Sequence, residues 1–223
     1  MPAAILPAFN HHMKKYISKF HYLTQDLIYR SHAEQTQIAC SAGANWIQYR
    51  CFSKCDEDMI AELHDVASIC DDWGATLILT DHYHLLDKVD AQGVHIEDMQ
   101  ADFSVIRGHI SDEKTLGASA NSVEDIVRIK ESAVVDYIGC GPFSTTLTKP
   151  NNYPLLGVEG YRKITTHPKL LDLDIPILAV GGVNLKDVEN LLESGIYGIA
   201  VTGAINQSEN PSKAVRDFYK QVY

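Results

Sequence analysis

The chain has 223 residues, 45% of them hydrophobic, a length that fits one large domain or two small ones, with enough apolar residues for a sizeable core and too many for a disordered polymer. Nineteen basic against 29 acidic residues leave a net charge of −10, which argues against broad binding to nucleic acid or to membrane surfaces but leaves room for a local basic pocket. Five cysteines without a CxxC pair fit the reduced thiols of a cytoplasmic protein, and no apolar run approaches the ~18 residues of a membrane-spanning helix.

In chain order, residues 1–15 read as an extension ahead of the domain, with no basic stretch before their apolar part and so a poor match to a signal peptide. Residues 16–223 are expected to form one domain. Phe20 to Thr24 reads as a first strand, and Ser31 to Ala42 as a helix with Ser31 as its N-cap. Trp46 to Arg50 is a second strand. Asp56 to Trp73 is an amphipathic helix, with Ile60, Leu63, Val66, Ala67 and Cys70 at helical spacing and Gly74 as its stop. Strands follow at Thr76 to Thr80, Gly93 to Ile96, Thr115 to Ser119, Val134 to Gly139, Ile177 to Val180 and Gly198 to Val201. Helical stretches separate them at about Tyr83–Val89, Phe103–His109, Ser122–Lys130, Gly157–Thr165 and Leu185–Ser194, and Pro211 to Tyr223 closes the chain as a helix. Eight strands alternating with helices predict an α/β protein, a single (β/α)8 TIM barrel with compact loops, and a doubly wound open sheet is the runner-up. The Pro- and Asn-containing stretch from Lys149 to Pro154 is the candidate for a mobile loop near the site.

Function in such barrels sits at the C-terminal ends of the strands. That rule selects Gln48, Tyr49 and Arg50 after strand two, and Thr80 and Asp81 after strand three. After strand four it selects Glu97, Asp98, Gln100 and Asp102, and after strand five Ser119 and Asn121. The run Gly139-Cys140-Gly141-Pro142 leads into a loop with the hydroxyls of Ser144, Thr145, Thr146 and Thr148 and the ammonium of Lys149, a set suited to a phosphate or diphosphate. Gly181-Gly182 after strand seven and Thr202-Gly203 after strand eight form a second anion site from backbone N–H groups. Cations (Arg50, Lys149) beside carboxylates (Asp81, Asp98) suggest Mg²⁺ bridging a diphosphate. The plainer alternative is a structural Arg50–Asp81 salt bridge. Cys140 reads as a small buried thiol, Cys51 and Cys55 lack a matching pair for a zinc site, and His82-x-His84 reads as a pair of surface or loop histidines.

These residues together resemble the thiamine-phosphate synthase (thiamine-phosphate pyrophosphorylase) family from Phe20 onward. The segments carrying the resemblance are Trp46–Arg50, Thr80-Asp81, Gly93–Ile96, Leu116–Asn121, Gly139–Pro142 with Thr146–Lys149, and the two late glycine motifs. The resemblance implies a (β/α)8 barrel that joins a hydroxymethylpyrimidine diphosphate to a thiazole phosphate, releasing diphosphate. It implies that Gln48, Arg50, Ser119 and Lys149 hold the pyrimidine diphosphate, with Thr80 as a further donor. Asp81 binds Mg²⁺, and Thr146, Thr148, Gly182, Thr202 and Gly203 hold the thiazole phosphate. Arg50, Ser119 and Lys149 then carry the catalytic charge stabilisation.

Three positions depart from the family pattern. Phe52 stands where a lysine is usual, with Lys54 two residues on. Thr80 replaces an asparagine. The second Mg²⁺ carboxylate is Asp98 if the loop is two residues shorter, and otherwise falls on Gln100. A thiazole tautomerase shares the barrel but commonly has a histidine where Asn121 stands. A non-catalytic barrel that binds thiamine precursors is the third reading. Small-molecule substrates, no nucleic-acid or membrane partner, and a possible homodimer complete the expectations.

Overall fold

The computed structural model describes residues 15–146 and 153–223. Eight strands, β1 (Phe20–Leu23), β2 (Trp46–Tyr49), β3 (Thr76–Thr80), β4 (Gly93–Ile96), β5 (Thr115–Ala120), β6 (Tyr137–Cys140), β7 (Ile177–Val180) and β8 (Gly198–Val201), pair in chain order into a closed barrel. All neighbouring pairs are parallel, and β8 returns to β1 with Phe20 opposite Ile199. The strands are short and almost wholly buried, as expected of a sheet covered by helices on its outer face. Among the described residues the helices are α1 (His32–Ser41), α2 (Asp56–Trp73), α3 (Phe103–His109), α4 (Val123–Ser132), α5 (Gly157–Thr165), α6 (Val188–Glu193), α7 (Gly203–Asn206) and α8 (Pro211–Val222). None of them is long and apolar enough to cross a membrane.

Local chemistry accounts for several boundaries. Ser31 and Glu34 form a reciprocal capping box at the start of α1. Helix α2 opens on three carboxylates, which suit the positive end of its dipole, and stops at Gly74 in the left-handed conformation (φ 63°). Its buried face is Met59, Leu63, Val66, Ala67 and Cys70, so Met59 rather than Ile60 begins the stripe. Three expectations need correction. The helix expected over Tyr83–Val89 is only a 3-10 turn, Tyr83–Leu85, because i→i+3 bonds (Leu85 N–H to His82, Leu86 N–H to Tyr83) replace helical ones. The sixth strand begins at Tyr137 rather than Val134, whose carbonyl accepts instead from the Arg107 guanidinium. The stretch expected as one helix from Leu185 splits into a 3-10 turn (Leu185–Asp187) and α6. Lys15, at the end of the expected extension, is tied to the barrel floor by an ion pair with Asp136 (2.9 Å).

Two cores result. The larger lies between the strands and the helices, and a smaller one fills the barrel with Ile17, Trp46, Ile78, Tyr137 and Leu178. Two histidines share this interior. His21 stacks on Trp46 (ring centroids 4.4 Å), and His95 reaches Tyr137 Oη (3.1 Å) and Ser119 Oγ (3.0 Å). Gly117 makes room for His95 and Tyr137, and Gly139 for His95. A Cβ on Gly117 would lie 2.3 Å from the Tyr137 ring and 2.6 Å from His95 Nδ1.

Burial, reinforced by His95, holds the His21 pKa well below 6.5, and burial holds His32 down despite its Asp26 partner. Both stay neutral in the fold when the unfolded chain would already take up protons, so the native state is fully favoured above pH 6.5 and loses ground below it. Stability to urea is therefore expected to fall as the pH drops below 6.5, with a slope that approaches about 1.4 kcal/mol per pH unit for His21 and a smaller share from His32. His21→Phe should remove the larger part of that slope; an unchanged slope would show that His21 does not titrate this way.

Candidate active site

The C-terminal ends of the strands surround a cavity of about 450 Å³. Its floor is made by Leu23, Ser119, Gly139, Val180 and Ala200, and its walls by the loops after β2, β4, β6, β7 and β8. Of the residues singled out in the sequence, Arg50, Ser119, Thr146, Gly182, Thr202 and Gly203 all line it. Asn121 and Tyr153 line it too, the first singled out after strand five and the second part of the stretch from Lys149 to Pro154, and so do Asn184 and Gln207, which the sequence does not single out. Their polar side chains sit on loops without a motif, so nothing in their spacing marks them.

Arg50 leaves the end of β2 with Nε 2.6 Å from Glu97 Oε1 and Nη2 3.3 Å from Glu97 Oε2. The simple alternative of an Arg50–Asp81 salt bridge is thereby corrected: the partner is Glu97, one strand further round. The guanidinium also lies 4.5 Å over the Phe52 ring, so the residue in the usual lysine position supports the arginine by a cation–π contact. Lys54 is drawn away to Glu62 (2.7 Å). The backbone here is clamped as well. Thr24 Oγ1 accepts from Arg50 N–H (3.0 Å), Asp26 accepts from Phe52 N–H (2.9 Å) and Ser53 Oγ (2.8 Å), and Cys51 O accepts from His82 Nε2 (3.2 Å). Burial pushes the Asp26 carboxyl up, but these donors outweigh it and hold it below the usual range.

Gln48 and Thr80 are buried and bonded to each other (2.9 Å), which places them beneath the cavity rather than on its wall. Ser119 takes its orientation from His95. Asp81 follows β3 with a left-handed backbone (φ 62°), tolerable for aspartate, and its Oδ1 accepts from Glu97 N–H (2.7 Å). Asp98 Oδ1 accepts from Gln100 N–H (2.9 Å), while Gln100 Oε1 is turned to Arg128 (3.0 Å). Asp102 is occupied in capping α3. Asp81 and Asp98 follow the adjacent strands β3 and β4 and offer carboxylate oxygens, the donor type Mg²⁺ takes, but neither is among the residues that line the cavity.

The glycine side of the cavity is stitched together. Beyond the strands, Phe143 N–H bonds Val180 O, Ser144 N–H bonds Gly181 O, and Ser144 Oγ bonds Gly182 O (2.7 Å). Gly181 and Gly182 both have positive φ (85° and 74°). Across from them Asn206 Nδ2 donates to Thr202 Oγ1 (3.2 Å), and Tyr22 Oη holds the same amide (2.5 Å). Thr148 and Lys149, and most of the stretch expected as a mobile loop, lie outside the described residues. Burial raises the Cys140 thiol to about 12, which leaves it protonated and unfit as a nucleophile.

A closed (β/α)8 barrel with a rim cavity built from glycine loops, threonines and a braced arginine defines a barrel enzyme of small-molecule chemistry. The comparisons agree and go further. A family model described as thiamine monophosphate synthase matches residues 22–205, and the chain belongs to that family. It is 36% identical over 181 residues to the thiamine-phosphate synthase of Phocaeicola vulgatus, covering 81% of this chain and 86% of that protein. Against the thiamine-phosphate synthase of Flavobacterium psychrophilum it is 33% identical over 205 residues, covering 92% and 99%. Among solved structures, the thiamine phosphate pyrophosphorylase from Pyrococcus furiosus superposes with a TM-score of 0.79 at 26% identity, covering 92% of this chain and 95% of that one.

Proposed function

We propose that this chain condenses 4-amino-2-methyl-5-(diphosphooxymethyl)pyrimidine with thiazole phosphate to give thiamine phosphate and diphosphate, in a Mg²⁺-dependent step. The observation that carries the proposal is the gathering of Arg50, Ser119, Thr146, Gly182, Thr202 and Gly203 around one cavity at the functional end of the barrel. The two halves of that cavity suit two substrates. Arg50, Ser119 and Lys149 would hold the diphosphate, with Gln48 and Thr80 supporting the wall from below. Thr146, Thr148, Thr202 and the amides of Gly182 and Gly203 would hold the thiazole phosphate.

In the reaction the C–O bond to the diphosphate breaks, the aminopyrimidine stabilises the resulting benzylic-type cation, and the thiazole nitrogen forms the new C–N bond. No protein nucleophile or general base is required, in keeping with a protonated Cys140. Arg50 supplies a fixed positive charge to the leaving group, with its Nε and Nη2 donors on Glu97 and two further N–H donors on Nη1. Ser119, oriented by His95, would donate a hydroxyl to the same group. The Gly181–Gly182 turn holds the second substrate in place so that attack is a matter of position. Mg²⁺, held by Asp81 and Asp98, would neutralise diphosphate oxygens when bound.

The proposal includes a cytoplasmic location and no nucleic-acid partner, consistent with the net charge of −10. It also includes a homodimer, which light scattering would read. The relatives give no support to a tautomerase or a non-catalytic barrel. The decisive assay mixes protein, both substrates and Mg²⁺ and quantifies both products, with EDTA as the control. Equimolar, EDTA-sensitive thiamine phosphate and diphosphate are expected. Absence of product with folded protein and intact substrates would overturn the proposal.

A further inference from the structure

Among the described residues, two clusters of metal-ligating side chains lie outside the cavity. In the first, Asp26, His32 and Cys51, the carboxylate is already committed to Phe52 N–H, Ser53 and His32, so an ion would have to break a satisfied network. The second, Asp56, His82 and His84, is built differently. One ligand atom from each residue lies within 4.8 Å of the other two. A carbonyl only accepts, so the His82 Nε2 that sits 3.2 Å from Cys51 O must carry the proton. The lone pair is then on Nδ1. A second-sphere carbonyl that fixes the tautomer is the usual companion of a histidine metal ligand.

The mounts are firm. Asp56 is the first residue of the 18-residue helix α2, and His82 precedes and His84 lies within a 3-10 turn held by Tyr83 N–H to Asp81 O and Leu85 N–H to His82 O. The side chains of His84 and Asp56 are 49% and 45% exposed and already meet at 2.9 Å, so an ion can reach them.

We propose that Asp56, His82 and His84 bind one divalent transition-metal ion of the zinc class, with water completing the coordination. Two imidazoles and a carboxylate are the donor set of Zn²⁺, Co²⁺ or Ni²⁺; Mg²⁺ takes oxygen ligands and does not compete here. Tetrahedral bonds of ~2.0–2.1 Å set ligand atoms about 3.3 Å apart, so the His84–Asp56 pair at 2.9 Å opens slightly and His82 closes in from within 4.8 Å, by rotation of these side chains. The bound ion ties the start of α2 to the turn after β3. Through the His82–Cys51 bond it also braces the loop that carries Arg50.

The test uses the full chain, stripped with EDTA. Zn²⁺ is titrated by calorimetry and Co²⁺ by its visible absorption, for the wild type, His84→Ala, His82→Ala and Asp56→Asn. The wild type is expected to bind one equivalent with a Kd below about 10 μM and to show tetrahedral cobalt bands. Each variant is expected to lose at least about tenfold in affinity. Unchanged circular dichroism without metal would show that the variants fold. Wild-type affinity in the variants would place the ion elsewhere and overturn the proposal. So would the absence of saturable wild-type binding. None of these readouts depends on catalysis.

Discussion

Arg50→Gln is expected to lower kcat/KM for thiamine phosphate formation by about 10³-fold, near 4 kcal/mol. The magnitude follows from charge. A cation about 4 Å from a diphosphate oxygen contributes roughly 4 kcal/mol at the effective dielectric of a partly buried site. The substitution also leaves the Glu97 carboxylate, whose side chain is 16% exposed, on the cavity wall without the cation it faces at 2.6 Å. That carboxylate would then repel the anionic substrate. Glu97→Gln should be milder, about tenfold, because Arg50 keeps its charge and loses only its brace. The double variant should recover part of the Arg50→Gln loss, since Glu97→Gln removes the negative charge that faced Arg50. Steady-state kinetics on the three variants checks this. An Arg50→Gln enzyme within about tenfold of wild type would remove Arg50 from the diphosphate site.

Gly182→Ala is expected to cost about 3 kcal/mol of stability and to raise KM for thiazole phosphate at least about tenfold. Two effects combine. The backbone at Gly182 has φ 74°, where a side chain is strained, and the new Cβ would lie 2.4 Å from Ser144 Oγ and 2.7 Å from the carbonyl oxygens of Ser144 and Thr145. The loop after β6 can relieve that clash only by retreating, which breaks the Ser144 Oγ–Gly182 O bond and moves Thr146. Gly108 is the control. It lies inside α3 with nothing within 4 Å of an added Cβ, so Gly108→Ala should be neutral or stabilising by up to about 1 kcal/mol. Thermal unfolding and substrate titration of both variants read the difference; equal midpoints would refute the strain argument.

Much of the fold was legible before any coordinates. β3, β4, α2, β7 and β8 begin and end where the apolar runs and glycine stops indicate, because each is bounded by local chemistry: a cap, a left-handed glycine, or a change of hydrophobic period. The turn at Tyr83–Leu85 was misjudged because Leu85, Leu86 and Val89 are all buried, yet the chain must return at once to β4. Two buried leucines and a valine are compatible with a helix and with a tight turn alike.

The site divides in the same way. Residue types at strand ends pointed to Arg50, Ser119, Thr146, Gly182, Thr202 and Gly203, and the closed barrel brings those six to one cavity, since parallel strands deliver all their C-terminal ends to the same side. What the linear order could not supply was pairing across the rim. Glu97 was visible as an acid after strand four, but its bond to Arg50, 47 residues earlier, exists only because β2, β3 and β4 lie side by side with their ends level. The same holds for His95 beneath Ser119 and for Asp26 under the Arg50 loop. Short-range patterning of apolar residues, caps and glycines thus determines the strands, the helices and the rim positions, because those depend on neighbours in the chain. Partners, tautomers and the placing of Gln48 and Thr80 beneath the cavity were decided by barrel closure, because hydrogen bonds and ion pairs form between atoms that only the register of parallel strands brings within 3 Å.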